Sequence, residues 1–91
     1  MYAQRKDNNE KVIIDGLRAC GVYVQQMDRL AGFDLLLAFR GVIHIVEVKN
    51  PDRSTKLTDA EHLTAQMISL AGCEYNIVST LDEALKVVEL L

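Results

Sequence analysis

The chain has 91 residues, of which 49% are hydrophobic and 25% charged, and its net charge is −3. This length and composition predict one soluble globular domain and exclude a membrane protein, because no apolar run approaches the ~18 residues of a bilayer span. Nine of the ten Lys and Arg residues precede Asp59, so any basic surface must come from the first two thirds of the chain.

The N-terminus predicts where the protein lies in the cell, and the two cysteines indicate which kinds of site it lacks. The opening residues, MYAQRKDNNE, lack the apolar core of a signal peptide. We therefore expect a cytoplasmic protein, in the cytoplasm of the host cell if the source is viral. Cys20 and Cys73 have no CxxC spacing and no neighbouring His, which disfavours a zinc or redox motif. We expect both to be reduced thiols packed in the interior.

The first half of the chain predicts one helix followed by three strands. Residues 7–9, Asp-Asn-Asn, offer N-caps for a helix whose apolar positions recur at helical spacing and which stops at Gly21. VYVQQ predicts a short strand. FDLLLAF and VIHIVEVK then flank Arg40-Gly41, and this two-residue spacing predicts a β-hairpin with Gly41 at positive φ.

The second half predicts a helix, a strand and a helix. Thr58 and Glu61 have the spacing of a capping box, which opens a helix closed by Gly72. EYNIVS predicts the last strand, and Thr80 opens a second capping box and a C-terminal helix over LDEALKVVELL. The strands before and after the second helix should be parallel, with a right-handed crossover between them.

The predicted order, αβββαβα, gives an α/β fold in a single domain over residues 1–91. Its sheet is mixed and four-stranded. DLLLAF and VIHIV are apolar on both faces, so we expect helices to cover both sides of the sheet.

Three charged residues converge at one end of the predicted hairpin. With the turn at Arg40-Gly41, Asp34 lies opposite Glu47, and Lys49 points to the same face two residues further on. Two carboxylates this close repel unless a cation or a proton lies between them. Oxygen ligands on a fixed scaffold suit Mg²⁺ or Mn²⁺. An ion pair of Lys49 with Asp34 or with Glu47 is the alternative interpretation.

Glu10 extends this group from the first helix. It shares a helical stripe with Ile13, Ile14 and Leu17, so its carboxylate should lean toward the sheet. The alternative is an acid favourably placed at the N-terminus of a helix.

Together these residues resemble the PD-(D/E)XK nuclease superfamily, and within it the stand-alone VRR-NUC (virus-type replication-repair nuclease) domains. The resemblance spans nearly the whole chain, through NNEKVIIDGLRACGVYV, LAGFDLLLAFRGVIHIVEVKNP, KLTDAE and GCEYNIVSTLDEAL. It implies a restriction-endonuclease-like αβββαβ core. The implied activity is metal-dependent DNA endonuclease, with Mg²⁺ as cofactor and Mn²⁺ as a substitute.

The resemblance also implies roles for the residues of the hairpin. Asp34, Glu47 and the backbone carbonyl of Val48 would hold the metal, and Glu10 matches the family's acid on the N-terminal helix. Lys49 would position the attacking water or stabilise charge on the scissile phosphate.

Two positions depart from the family pattern. Phe33 stands where the family usually has Pro, and that residue shapes the backbone rather than the chemistry. Glu61 falls where the family usually has a catalytic-site Gln. Glu61 could instead serve only as the capping-box partner of Thr58, in which case Gln66 would fill the polar role.

Basic residues near the predicted site are candidate contacts to the DNA backbone. The candidates are Arg53, Lys56, Lys11 and Arg40, together with Gln66. A homodimer would double this basic surface, and the resemblance implies cleavage of branched, four-way DNA by such a dimer. The apolar stretches ALKVVELL and MISLAG are candidates for the dimer contact. The alternatives are an archaeal-type Holliday junction resolvase, a non-catalytic DNA-binding or assembly module with the same fold, and a plain interaction protein.

Overall fold

The elements follow the predicted order, with one added turn. A computed structural model of the chain describes residues 2–52 and 56–91, with side chains from residue 9 onward. The helices are α1 (Tyr2–Ala19), α2 (Asp59–Leu70) and α3 (Leu81–Val87), and the strands are β1 (Tyr23–Gln26), β2 (Leu35–Phe39), β3 (Val42–Val48) and β4 (Tyr75–Val78). A 3₁₀ turn, Arg29–Ala31, lies between β1 and β2. The protein is an α/β fold with one mixed sheet and three helices.

The four strands form a single sheet in the order β1-β2-β3-β4. The first two pairings are antiparallel and the pairing of β3 with β4 is parallel, as predicted. Leu37 lies opposite His44 and Phe39 opposite Val42, which confirms the two-residue turn. Arg40 and Gly41 have φ values of 53° and 82°, and positive φ at both positions is the pattern of a type I′ hairpin turn.

The hydrophobic core lies on one face of the sheet, under α1 and α3. Its fully buried members include Ile13 and Leu17 of α1, Val46 of β3 and Ala84 of α3. Successive side chains of a strand point to opposite faces. Val46 and its even-numbered neighbours on β3 therefore face this core, whereas Glu47 faces the side of α2.

The second face of the sheet is covered only in part. α2 buries none of its side chains, and Ile43 of β3 and Ile77 of β4 stay 66% and 48% exposed. The expectation that helices cover both faces is therefore met fully on the side of α1 and α3 and only partly on the side of α2.

Two predicted helix boundaries and the placement of the cysteines were wrong. α1 begins at Tyr2, upstream of residues 7–9, because Ala, Gln, Arg and Lys in this stretch are good helix formers. α3 ends at Val87, since Glu89 takes a left-handed conformation with φ of 63°. Cys20 and Cys73 are both exposed at helix ends instead of packed in the interior. Within the described ranges no helix is long and apolar enough to cross a bilayer.

Candidate functional site

The predicted acidic residues meet where β2 begins and β3 ends, on the face of the sheet that carries α2. Asp34 lies just before β2, and its backbone N donates to the carbonyl of Val46 at 3.1 Å, although Leu35 is the ladder partner of Val46. This one-residue slip resembles a β-bulge and replaces the predicted direct opposition of Asp34 and Glu47. Asp34 Oδ2 instead accepts a hydrogen bond from the backbone N of Val48 at 2.9 Å. Its carboxylate is thereby fixed beside Glu47.

The turn that delivers Asp34 depends on Gly32. Its φ is 81°, a left-handed conformation that favours glycine, and a Cβ at this position would collide with the side chain of Thr64 on α2. The hydroxyl of Tyr75 on β4 donates to the carbonyl of Gly32 at 2.6 Å. The turn before Asp34 is thus held between α2 and β4.

Glu47 is the buried acid of the group. Its side chain is only 1% exposed, and neither carboxylate oxygen has a hydrogen-bond partner among the described residues. Lys49 Nζ lies 3.2 Å from Glu47 Oε2, which is within ion-pair distance without being a hydrogen bond. Burial raises the pKa of Glu47 to about 8, the carboxyl groups of Glu61 and Asp34 act in the same direction, and Lys49 acts against them.

Glu61 joins α2 to this group. Its Oε1 accepts from Lys49 Nζ at 2.8 Å and from the backbone N of Thr58 at 2.9 Å, while Thr58 Oγ1 accepts from the backbone N of Glu61 at 3.2 Å. The predicted capping box is confirmed, and the same carboxylate also contacts Lys49. Gln66 lies on the exposed surface of α2. Of the two candidates, Glu61 is the one that meets the hairpin.

The charges of the group do not balance. Burial would raise the pKa of Glu61, but contacts with Glu47, Lys49 and the backbone of Thr58 outweigh it and lower that pKa to about 2. Burial would lower the pKa of Lys49, yet the two neighbouring carboxylates raise it. Three carboxyl groups, those of Asp34, Glu47 and Glu61, therefore surround one ammonium. A bound cation would relieve the excess negative charge.

Glu10 approaches from the other side of the sheet. Ile13, Ile14 and Leu17 are buried, which confirms the predicted stripe. Glu10 itself is half-buried, and Gln26 Nε2 donates to its Oε2 at 3.4 Å. Gln26 is the ladder partner of Leu35, so Glu10 lies beside the start of β2. Since α1 begins at Tyr2, Glu10 is not at the helix N-terminus, and the alternative explanation of its position is wrong.

α1 also contacts the end of β3. Asn9 Nδ2 donates to the backbone carbonyl of Lys49 at 3.4 Å, and the backbone N of Lys49 donates to the carbonyl of Val78 on β4 at 2.9 Å. Both backbone polar groups of Lys49, directly after Val48, are therefore hydrogen-bonded.

An open cavity of about 340 Å³ contains the three acids. Ten residues line it: Met27, Asp28, Arg29, Gly32, Phe33, Asp34, Glu47, Thr58, Ala60 and Glu61. Because one water molecule takes about 30 Å³, this volume has room for a hydrated cation and a phosphate group. Phe33, at the position where the family pattern has Pro, forms part of the wall.

The predicted DNA contacts are scattered. Arg40 lies at the turn between β2 and β3, the end of the hairpin away from the acids, with its guanidinium 4.9 Å from the ring centroid of Phe39. Lys11 forms an exposed ion pair with Asp15 on α1 at 2.6 Å. Lys56 is exposed just before α2, and Arg53 lies outside the described residues. Their contacts to DNA stay predictions.

Three residues of the site were missed at the sequence level: Gly32, Tyr75 and Arg29. Burial raises the pKa of the Tyr75 hydroxyl above its usual range, with the carboxylates of Glu47, Glu61 and Asp34 adding to the effect. Arg29 lines the cavity from the 3₁₀ turn. Only the glycine in the sequence LAGFD carried a local signal, because Gly often marks a left-handed turn. The other two become neighbours of the acids through tertiary contacts.

No protein-family model matches the chain, and no curated protein or solved structure matches it either. In residues 2–52 and 56–91 no group of three or more His, Cys, Asp and Glu side chains is arranged to hold a metal ion. A cation bound by Asp34 and Glu47 would complete its coordination with backbone carbonyls or water. Mg²⁺ commonly binds in this way, through one or two carboxylates and several waters.

Proposed function

We propose that the protein is a Mg²⁺-dependent DNA endonuclease that hydrolyses phosphodiester bonds. The observation that carries this proposal is the carboxylate of Glu47, which is fully buried and lacks a hydrogen-bond donor on either oxygen within the described part of the chain. An ionised carboxylate in such a place is unfavourable by several kcal/mol unless a proton or a cation compensates it. The carboxylate of Asp34 next to it makes a divalent cation the better complement.

The donor set fits Mg²⁺. Asp34 and Glu47 would supply carboxylate oxygens and Val48 a backbone carbonyl, whereas Glu10 is not grouped with them closely enough, among the described residues, to be a third carboxylate ligand. These donors are hard oxygen ligands, and Mn²⁺ accepts the same set. When bound, the ion would lower the pKa of a water molecule and neutralise charge that develops on the phosphoryl oxygens.

Lys49 and Glu61 would act beside the metal ligands. Lys49 carries the one ammonium of the group, and it would stabilise charge on the scissile phosphate or orient the attacking water. Its side chain is only 11% exposed, and the 2.8 Å contact with Glu61 holds it in place. Glu61 is therefore a positioning residue that links the N-terminus of α2 to Lys49.

The same proposal includes a specific fold family and a specific DNA substrate. The αβββαβ order and the mixed sheet are compatible with a restriction-endonuclease-like core of the VRR-NUC type. In the proposal a homodimer cleaves four-way DNA. Ala84 and Val88 of the stretch ALKVVELL are buried in the core, whereas Met67 and Leu70 on α2 are 60% and 77% exposed. The end of α2 is therefore the better candidate for the dimer contact.

A second candidate function is a non-catalytic module in which the charged cluster is structural. The ion pairs of Lys49 with Glu61 at 2.8 Å and with Glu47 at 3.2 Å favour it. In that case the cluster would need no metal, and Mn²⁺ would not stabilise the fold. With Glu47 protonated below its pKa of about 8, one ammonium still faces the two carboxylates of Asp34 and Glu61, which favours the metal site.

The test is a cleavage screen over linear, flap and four-way DNA with Mg²⁺, Mn²⁺ or EDTA. Wild type should cleave with either metal and not with EDTA. Glu47→Gln and Asp34→Asn should fold but not cleave, since each removes a charged ligand without removing volume. Glu74→Gln and Asp82→Asn make the same chemical changes at exposed positions and should stay active. Full activity of Glu47→Gln would contradict the proposal.

A further inference from the structure

We propose that the 28–32 turn, which is the 3₁₀ turn Arg29–Ala31 with its caps Asp28 and Gly32, contacts the DNA substrate, and that Arg29 binds one of its phosphates. This inference rests on the proposed function, because it concerns how the same cavity takes its substrate. The turn carries a basic residue that lines the cavity, Arg29, and next to it in the chain an exposed apolar residue, Leu30.

Arg29 is the basic residue among those that line the cavity. Its side chain has no hydrogen bond or ion pair with any described residue, although Asp34, Glu47 and Glu61 line the same cavity. Lys49, in contrast, is engaged by Glu61 and Glu47. A guanidinium offers a planar set of donors that matches the oxygens of a phosphate. Arg29 could therefore take a phosphate without giving up an internal contact.

Hydrogen bonds at both ends hold the 28–32 turn in its conformation. Asp28 Oδ1 accepts from the backbone N of Leu30 at 2.8 Å, and the carbonyl of Asp28 accepts from the backbone N of Ala31 at 3.1 Å. At the other end Gly32 is held by Tyr75 and packs against Thr64. A preorganised turn loses little conformational entropy when it binds, which favours affinity.

Leu30 gives the turn an apolar tip. It is 95% exposed, the largest exposure among the large hydrophobic residues described, and its backbone is fixed by Asp28. A single exposed Leu is ordinary, but this one is presented rigidly beside an unpaired Arg at the rim of the cavity. Apolar side chains of DNA-binding proteins can insert between base steps and partly unstack them. Branched DNA offers interrupted stacks, so the turn fits that substrate class.

The test is DNA binding without catalysis, measured by fluorescence anisotropy of a labelled four-way junction in EDTA over about 50–200 mM salt. Each phosphate contact contributes about −0.7 to −0.9 to the slope of log K against log salt. Arg29→Ala should bind about tenfold more weakly, with a slope smaller by about one contact. Arg29→Lys should keep the slope because it keeps the charge. Lys86→Ala removes the same charge from α3, on the opposite side of the sheet, and should bind like wild type.

Two variants test whether the apolar tip, Leu30, contacts the DNA. Leu30→Ser should weaken binding to the junction, whereas Leu91→Ser, a similar change at a position 64% exposed, should not. Unchanged binding of Leu30→Ser would remove Leu30 from the contact.

The outcomes separate this inference from the nuclease proposal. A wild-type protein that binds DNA but does not cleave it with Mg²⁺, together with weakened Arg29→Ala, would support the turn and contradict the nuclease. A wild type that cleaves, with Arg29→Ala indistinguishable from Lys86→Ala in affinity and salt slope, would overturn the role of Arg29. Absence of DNA binding by wild type in EDTA, together with cleavage in Mg²⁺, would overturn the turn contact alone, and absence of both binding and cleavage would overturn both proposals.

Discussion

Replacement of Glu47 by Gln isolates the buried charge of the site. Gln has nearly the same shape and stays neutral at every pH, so the variant removes the ionisation of Glu47 and little else. In the metal-free protein the ionised form of Glu47 is unfavourable, since burial and the neighbouring acids raise its pKa to about 8. We therefore expect Glu47→Gln to be more stable than wild type at alkaline pH in EDTA.

The pH dependence of this difference follows from proton binding. The ordinary pKa of a Glu side chain is 4.5, and that of Glu47 in the folded protein is about 8. Between these two pH values Glu47 holds its proton in the folded protein and has lost it in the unfolded chain. The free energy of unfolding of wild type should therefore fall as pH rises through this window, by at most about 1.4 kcal/mol per pH unit, and level off above it. Glu61 affects stability at acidic pH. Because its pKa is lowered to about 2 in the folded protein, the free energy of unfolding should fall as pH falls from 4.5 toward 2.

Urea denaturation at pH 5 and pH 8.5, with EDTA or Mn²⁺, measures these effects. In EDTA the two proteins should agree at pH 5 and diverge at pH 8.5 in favour of Glu47→Gln. Mn²⁺ at ten times its Kd should add about 1.4 kcal/mol to wild type at pH 8.5 and nothing to the variant. In a domain of this size 1 kcal/mol corresponds to roughly 4–8 °C in Tm. Equal pH dependence of both proteins would contradict the raised pKa of Glu47, and equal stabilisation by Mn²⁺ would contradict its role as a metal ligand.

Three further predictions concern catalysis, the turn before Asp34 and assembly. Lys49→Ala should lower the cleavage rate by roughly 10²–10³-fold yet keep its stabilisation by Mn²⁺ in thermal melts, because it removes a charge on the phosphate side and no metal ligand. Gly32→Ala should cost about 2–4 kcal/mol in urea denaturation, against about 1–2 kcal/mol for Gly21→Ala, because both lose a left-handed glycine but only Gly32 would collide with Thr64. Sedimentation should detect a dimer that nicks four-way junctions in preference to linear duplex, and a species near the monomer mass of 10.2 kDa with equal cleavage of both would contradict this.

The hairpin and the second helix were predictable because their signals are local. Arg40-Gly41 between two apolar runs determined the register of β2 and β3, and that register brought Glu47 and Lys49 to the correct face. Thr58 and Glu61 formed the predicted capping box. In each case the residues that decide the structure lie within a few positions of one another.

The rest of the site depends on distant contacts. The carboxylate of Asp34 is held by the backbone of Val48, and the turn before it by Tyr75, 43 residues from Gly32. No periodicity or spacing reports such a contact. The capping-box spacing of Thr58 and Glu61 did not predict that Glu61 would also contact Lys49, because a capping box by itself explains an acid at that position. The early start of α1 shows the same limit, because good helix formers extended the helix past three possible N-caps.

Titration of the metal-free protein with Mn²⁺, followed by the electron paramagnetic resonance of the free ion, measures whether Asp34 and Glu47 bind a metal. At pH 8.5 wild type should bind Mn²⁺ at the site, Glu47→Gln and Asp34→Asn should lose that binding, and the exposed control Glu74→Gln should keep it. Loss of binding at pH 5 should follow from protonation of Glu47. Wild type that binds no Mn²⁺, or Glu47→Gln that binds it as wild type does, would contradict a metal centre at these residues.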